Sequence, residues 1–176
     1  MGLVKRPPGT EPSGACSPGR AGRSPLRPFA AVLITGQPRK TMGPSMEVLE
    51  VAVAAVVAGD MNGLSMVLGA SHPELQDAAS KLPQLSVSRS ALTRVLKDWR
   101  SGTYNSDNVQ QWASFVRRGY VAGRGNGAIR PIEIEYDASD EELIGEIIGR
   151  FDEIGDLIDG HIDENELVEM LRALGG

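Results

Sequence analysis

From Met46 onward the chain predicts an all-α fold, an antiparallel helical bundle of about six to seven helices behind a disordered N-terminal leader. Three observations predict it. Apolar residues recur at helical spacing almost throughout residues 46–174. Helix-capping residues and glycines stand at the breaks in that pattern. Only residues 132–136, Ile-Glu-Ile-Glu-Tyr, alternate as a strand would.

The leader, residues 1–45, carries Lys5, Arg6, Arg20, Arg23, Arg27, Arg39 and Lys40 against the single acid Glu11. It is rich in Pro, Gly, Ser and Arg and lacks a periodic apolar pattern, so it cannot bury enough surface to offset its ordering entropy. Its one apolar run, residues 28–35, is too short and too late for a secretory signal and lacks a clear cleavage site. An organelle-type leader fits this basic composition, and translation starting at Met42 or Met46 fits it better. The lone cysteine, Cys16, lies in this leader, which excludes an internal disulfide or a cysteine-based metal site. No apolar stretch reaches the roughly 18 residues that span a bilayer. A soluble cytoplasmic domain without membrane association is therefore expected.

In the first predicted helix Val48, Leu49, Ala52, Val53, Val56 and Val57 form a wide apolar face, ended by Gly59-Asp60. Asn62 can cap a short helix carrying Leu64, Val67 and Leu68. Pro73 suits a first helical position, with Leu75, Ala78, Ala79 and Leu82 facing inward. Ser88 caps a helix burying Leu92, Val95, Leu96 and Trp99. After Ser101-Gly102-Thr103, Ser106 or Asn105 starts a helix with Val109, Trp112, Phe115 and Val116 on one side. The two tryptophans are read as core anchors. Residues 123–127, GRGNG, are a connection rather than a phosphate loop, because no strand precedes them and no helix follows. Residues 132–136 are then extended linker or a small edge pairing.

Ser139-Asp140-Glu141-Glu142 reads as a capping box opening the longest helix, which buries Leu143, Ile144, Ile147, Ile148, Phe151, Ile154 and Ile158. Gly145 and Gly149 lie within it, each costing about 1 kcal/mol relative to alanine, and close approach of another helix would offset that. The last helix packs Leu167, Met170, Leu171 and Leu174. Between the two, Asp159-Gly160-His161-Ile162-Asp163 with Glu166 has the glycine, isoleucine and final glutamate of an EF-hand loop. With Gly160 at loop position six, however, Gly155 and Leu157 occupy positions one and three, where oxygen ligands are needed. No cofactor or metal is expected. Asp163 and Glu166 read instead as a capping box for the last helix. The weaker alternative is a calcium-responsive module using Asp159, Asp163 and Glu166.

Catalytic chemistry is not expected. The two histidines, His72 and His161, have no nucleophile beside them in sequence, and no HExxH, GxSxG or Walker pattern is present. Charge is the stronger signal. The net charge of −5 divides into +6 over residues 1–45 and −11 over residues 46–176. Within the latter, residues 82–130 carry +6 and residues 132–176 carry −13. The like-charged spacings of Glu142 with Glu146 and of Asp152 with Asp156 mark an acidic stripe, offset locally only by Arg150. Such a stripe is either a solvated face or an attractor of a basic partner. Arg89, Arg94, Arg117 and Arg118 are candidates to neutralise part of it internally. Nucleic acid is disfavoured as its ligand by phosphate repulsion.

Three phrases occur in order: Leu96-Lys97-Asp98-Trp99-Arg100-Ser101-Gly102; Trp112-Ala113-Ser114-Phe115 after a polar helix start; and Ile147-Ile148-Gly149-Arg150-Phe151-Asp152-Glu153-Ile154 running into Asp163 to Leu174. This order over residues 88–176 resembles the bacterial self-protective immunity proteins of the colicin D type. That resemblance implies a small acidic helical bundle that binds a cognate toxin and is not itself an enzyme. Its acidic surface would be Glu142, Glu146, Asp152, Glu153 and Asp156, set over the basic active site of a nuclease. Residues 46–84 have no place in the family pattern and are read as an added helical segment. A self-associating helical adaptor, dimerising through Gly145 and Gly149, is the further alternative.

Overall fold

A helix as apolar as α1 (Met46–Val57) needs cover on most of its circumference, and the fold gathers around it. In the computed structural model, which describes residues 45–123, 129–156 and 160–175, α1 buries Leu49, Ala52, Val53, Val56 and Val57. It meets a 3₁₀ turn (Met61–Gly63), α2 (Leu64–Gly69), α3 (His72–Ser80) and the strand β1 (Leu85–Val87). Then follow α4 (Arg89–Arg100), α5 (Ser106–Arg118), β2 (Ile134–Tyr136), α6 (Glu141–Asp152) and α7 (Glu164–Ala173). The molecule is an all-α bundle of seven helices among the described residues, with one two-stranded pairing. No helix among the described residues is long and apolar enough to cross a membrane. The leader expected to be disordered, residues 1–45, lies outside the described residues apart from Ser45, and so does most of the 123–127 connection.

Residues 46–84 share one core with residues 88–175. Trp112 is fully buried, and an indole N–H removed from water needs an acceptor. Trp112 Nε1 donates to the Val56 carbonyl at 2.7 Å, in the last turn of α1, where that oxygen also accepts from the Gly59 amide at 3.0 Å. Just beyond, Gly59 has φ 82°, and a Cβ there would strike the Ala91 carbonyl oxygen, so the turn admits glycine alone. The other tryptophan, Trp99, is partly buried and meets Phe151 edge to face, ring centroids 5.7 Å apart.

The alternating stretch 132–136 is paired. β2 runs parallel to β1, Leu85 opposite Ile134 and Val87 opposite Tyr136. A parallel pair requires a long crossover, and α4 and α5 supply it. Gly119 ends α5 in the left-handed conformation, φ 67°, and the Ile132 amide donates to its carbonyl at 2.8 Å. That bond steers the returning chain into β2.

Helix starts follow the cap chemistry except near residue 62, at α6 and, in part, at α7. Ser88 accepts from the Ala91 amide, and Asn105 and Asn108 cap each other reciprocally. Near residue 62 the capping side chain is Asp60, which accepts from the Asn62 amide at 3.1 Å. At α6 the expected Ser139 box does not form. The helix begins after Asp140, whose carboxylate is taken by the Arg89 guanidinium (Nε to Oδ2, 3.1 Å), while the Ser139 hydroxyl donates to Asp137. The Ser139 amide also donates to Asp137, at 3.1 Å, so a local carboxylate holds the groups the box would have used. α6 also stops at Asp152, where Gly155 turns the chain at φ 92°, and Ile158 lies outside the described residues.

Candidate partner-binding face

α6 turns Ile144, Ile147, Ile148 and Phe151 into the core, packing mainly on α5, and this fixes which of its acids face outward. Glu142, Glu146 and Glu153 are exposed along the helix, and Asp156 is exposed in the turn beyond it. Glu142, Glu146 and Asp156 have no ion pair among the described residues, and Glu153 has one contact, with Arg150 at 4.0 Å.

Asp152, expected on the same surface, belongs elsewhere. Its side chain is 7 % exposed and is held by Arg117 at 3.0 Å and Arg118 at 3.3 Å. A carboxylate in the last turn of a helix opposes the helix dipole, and the two guanidinium groups from the end of α5 offset that cost. Internal neutralisation by arginine therefore holds for Arg117 and Arg118 on Asp152, and for Arg89 on Asp140. The Arg89 hydrogen bond holds the Asp140 carboxyl below its ordinary range and raises the guanidinium in turn. Arg94 makes no ion pair among the described residues.

Arg150 does not offset Glu146 as the spacing suggested. It reaches across to α7, with Nε 2.6 Å from Glu166, and also donates to the His161 carbonyl at 2.8 Å. Of the alternative metal set, Asp159 lies outside the described residues, Asp163 caps α7 by accepting from the Glu166 amide at 2.9 Å, and the Glu166 carboxylate is engaged by Arg150. The expected box at α7 is thus half formed, because a guanidinium binds Glu166 in place of the cap amide. The described residues contain no group of three His, Cys, Asp or Glu side chains arranged to hold a metal ion.

The Arg150–Glu166 bridge joins α6 and α7 beneath an open groove of about 550 Å³. Leu143, Ile147, Met170 and Ala173 line it with apolar surface, and Glu146, Glu153 and Glu169 carry charge at it. Gly145 and Gly149 lie along the same helix, but their surroundings differ. A Cβ on Gly145 would meet the Tyr136 ring at 3.6 Å, in ordinary contact, whereas nothing lies within 4 Å of one on Gly149 among the described residues. The helix-to-helix approach expected to explain these glycines is therefore found at neither among the described residues, since a Cβ would fit at both.

Glu169, Met170 and Ala173 were not among the residues the sequence singled out as a site. Nothing in their spacing shows that α7 flanks the acidic side of α6. The nearest signal is the run of acids and apolar residues on α7 at helical period, which places Glu166, Glu169 and Ala173 along one side of that helix. His72 is placed by structure alone, its Nε2 3.0 Å from the Val121 carbonyl and its ring edge-on to Tyr120. Comparison of the chain with family models, curated proteins and solved structures finds no match.

Proposed function

We propose that this protein is a non-enzymatic, acidic interaction module that binds and occludes a basic protein, a nuclease-type toxin if the immunity resemblance holds. One observation carries the reading. After Asp140 and Asp152 are neutralised by arginines within the fold, Glu142, Glu146 and Asp156 remain exposed and unpaired among the described residues, with Glu153 only weakly held. Like charges along one helix cost a few tenths of a kcal/mol per pair, and a basic partner would relieve that cost while its encounter is speeded by complementary fields. The same charge repels nucleic acid.

The test is capture from host lysate on the tagged full chain, washed at low and high salt, with bound proteins identified by mass. A single basic protein should survive the high-salt wash, and adding the purified chain in equal amount should block its nuclease activity. The double variant Glu142→Lys/Glu146→Lys should bind it at least tenfold more weakly while keeping its helical content. Retention of many basic proteins that all wash away with salt, or unchanged binding by the double variant, would overturn the reading.

A further inference from the structure

We infer that the groove between α6 and α7 is the slot in which the partner is held, and that its occupant is a basic amphipathic helix of the partner protein. The inference rests on the acidic binding module proposed above and assigns its point of attachment. The groove runs alongside α6 from Leu143 to Glu153, about 15 Å at the helical rise, which matches roughly three turns of a docking helix. Its lining is apolar at Leu143, Ile147, Met170 and Ala173, so it offers area to bury as well as charge. Four carboxylates, Glu146, Glu153, Glu166 and Glu169, line it against one guanidinium, Arg150, and that one is bound to Glu166. A ligand carrying Lys or Arg beside apolar side chains complements both features.

Gly149 supplies an independent observation. It stands inside α6, where glycine is the poorest ordinary helix former, yet no described neighbour occupies the space a side chain would fill. The absent side chain leaves room at the groove wall for an incoming apolar group. A second copy of this chain is the less suitable occupant, because it would set Glu146 and Glu153 of one copy against the same carboxylates of the other. Gly145 lines the same groove but stands beside the Tyr136 ring, so the two glycines differ in surroundings.

The probe is a synthetic amphipathic helical peptide of about five turns with Leu and Ala on one face and Lys and Arg on the other. It is titrated into the isotope-labelled full chain and followed by amide chemical shifts, beside a scrambled peptide of equal composition. Shifts should concentrate on residues 145–153 and 166–173. Gly149→Met, which fills the slot with a good helix former, should weaken binding at least tenfold without loss of helix content. Ala173→Lys, on the α7 wall, should do the same by repulsion and serves if the first variant is unstable. Glu135→Lys, at the exposed position of β2 and outside the groove lining, should leave binding unchanged. Equal binding of the scrambled peptide, or no shifts at low salt, would overturn the inference. If both groove variants bind like wild type while Glu142→Lys weakens binding, the acidic face stands and the slot is wrong. Concentration-dependent self-association abolished by Gly149→Met would give the groove to a second copy and equally overturn it.

Discussion

Asp152 and Asp140 are both acids of the α6 region, and neither is available to a partner. The Asp152 side chain, 7 % exposed, bridges Arg117 and Arg118, which are themselves about half exposed. Removing it leaves two neighbouring guanidinium groups without their shared anion, and solvent around the arginines moderates the loss. Asp152→Ala should therefore cost about 1–2 kcal/mol in urea denaturation, between a surface pair and a buried charged hydrogen bond. It should leave binding of the partner within about twofold, since about 0.4 kcal/mol separates such affinities. Asp140 acts through pH. Its folded pKa is depressed, chiefly by the hydrogen bond from Arg89, so its stabilising contribution is present above the ordinary carboxylate pKa of about 3.9 and is lost as pH falls through the depressed value. In thermal melts from pH 7 to pH 2, the gap between wild type and Asp140→Asn should be widest near neutrality and close below about pH 4, and should narrow with added salt.

At the scale of elements, caps and apolar periodicity located the helices well wherever no other side chain competed for the capping groups. Ser88, Asn105 and Asp163 each accept the backbone hydrogen bond their position calls for. Asp163→Ala should lower stability by about 1 kcal/mol and the melting temperature by about 3–5 °C, measured by circular dichroism, with the Arg150–Glu166 bridge still tying α7 to α6. The two capping boxes that differ lost their groups to other carboxylates or guanidiniums, Ser139 to nearby Asp137 and Glu166 to a distant arginine. Asp140 pairs with Arg89, 51 positions away, and Glu166 with Arg150, 16 positions away. A charged hydrogen bond exceeds a neutral local one, so the box at Asp163 is halved by Arg150, while the box at Ser139 gives way to the Asp137 carboxylate. The short pairing of β1 with β2 was legible only as alternation in β2, because its partner strand, Leu85–Val87, has three residues, too few for its own alternation to stand out.

For the whole molecule, charge and core have different origins in the chain. The uneven charge, +6 over residues 82–130 and −13 over residues 132–176, is a property of the sequence and needs no fold to be read. Which of those acids are free is a property of the fold, because ion pairing falls off within a few ångströms and depends on helices brought together from distant segments. Residues 46–84 show the same division. Their helices are written in periodicity, while their place in one core with residues 88–175 rests on contacts such as Trp112 with the Val56 carbonyl. By itself the sequence determined the all-α class, most helix positions and the acidic character of the C-terminal part, since these follow from spacing and composition. Only the tertiary structure decided that Asp152 and Asp140 are paired within the fold, that α7 walls the acidic side of α6, and that Gly149 opens on a groove unfilled among the described residues. Those facts depend on packing between segments far apart in the chain, and no local pattern encodes the distance between them.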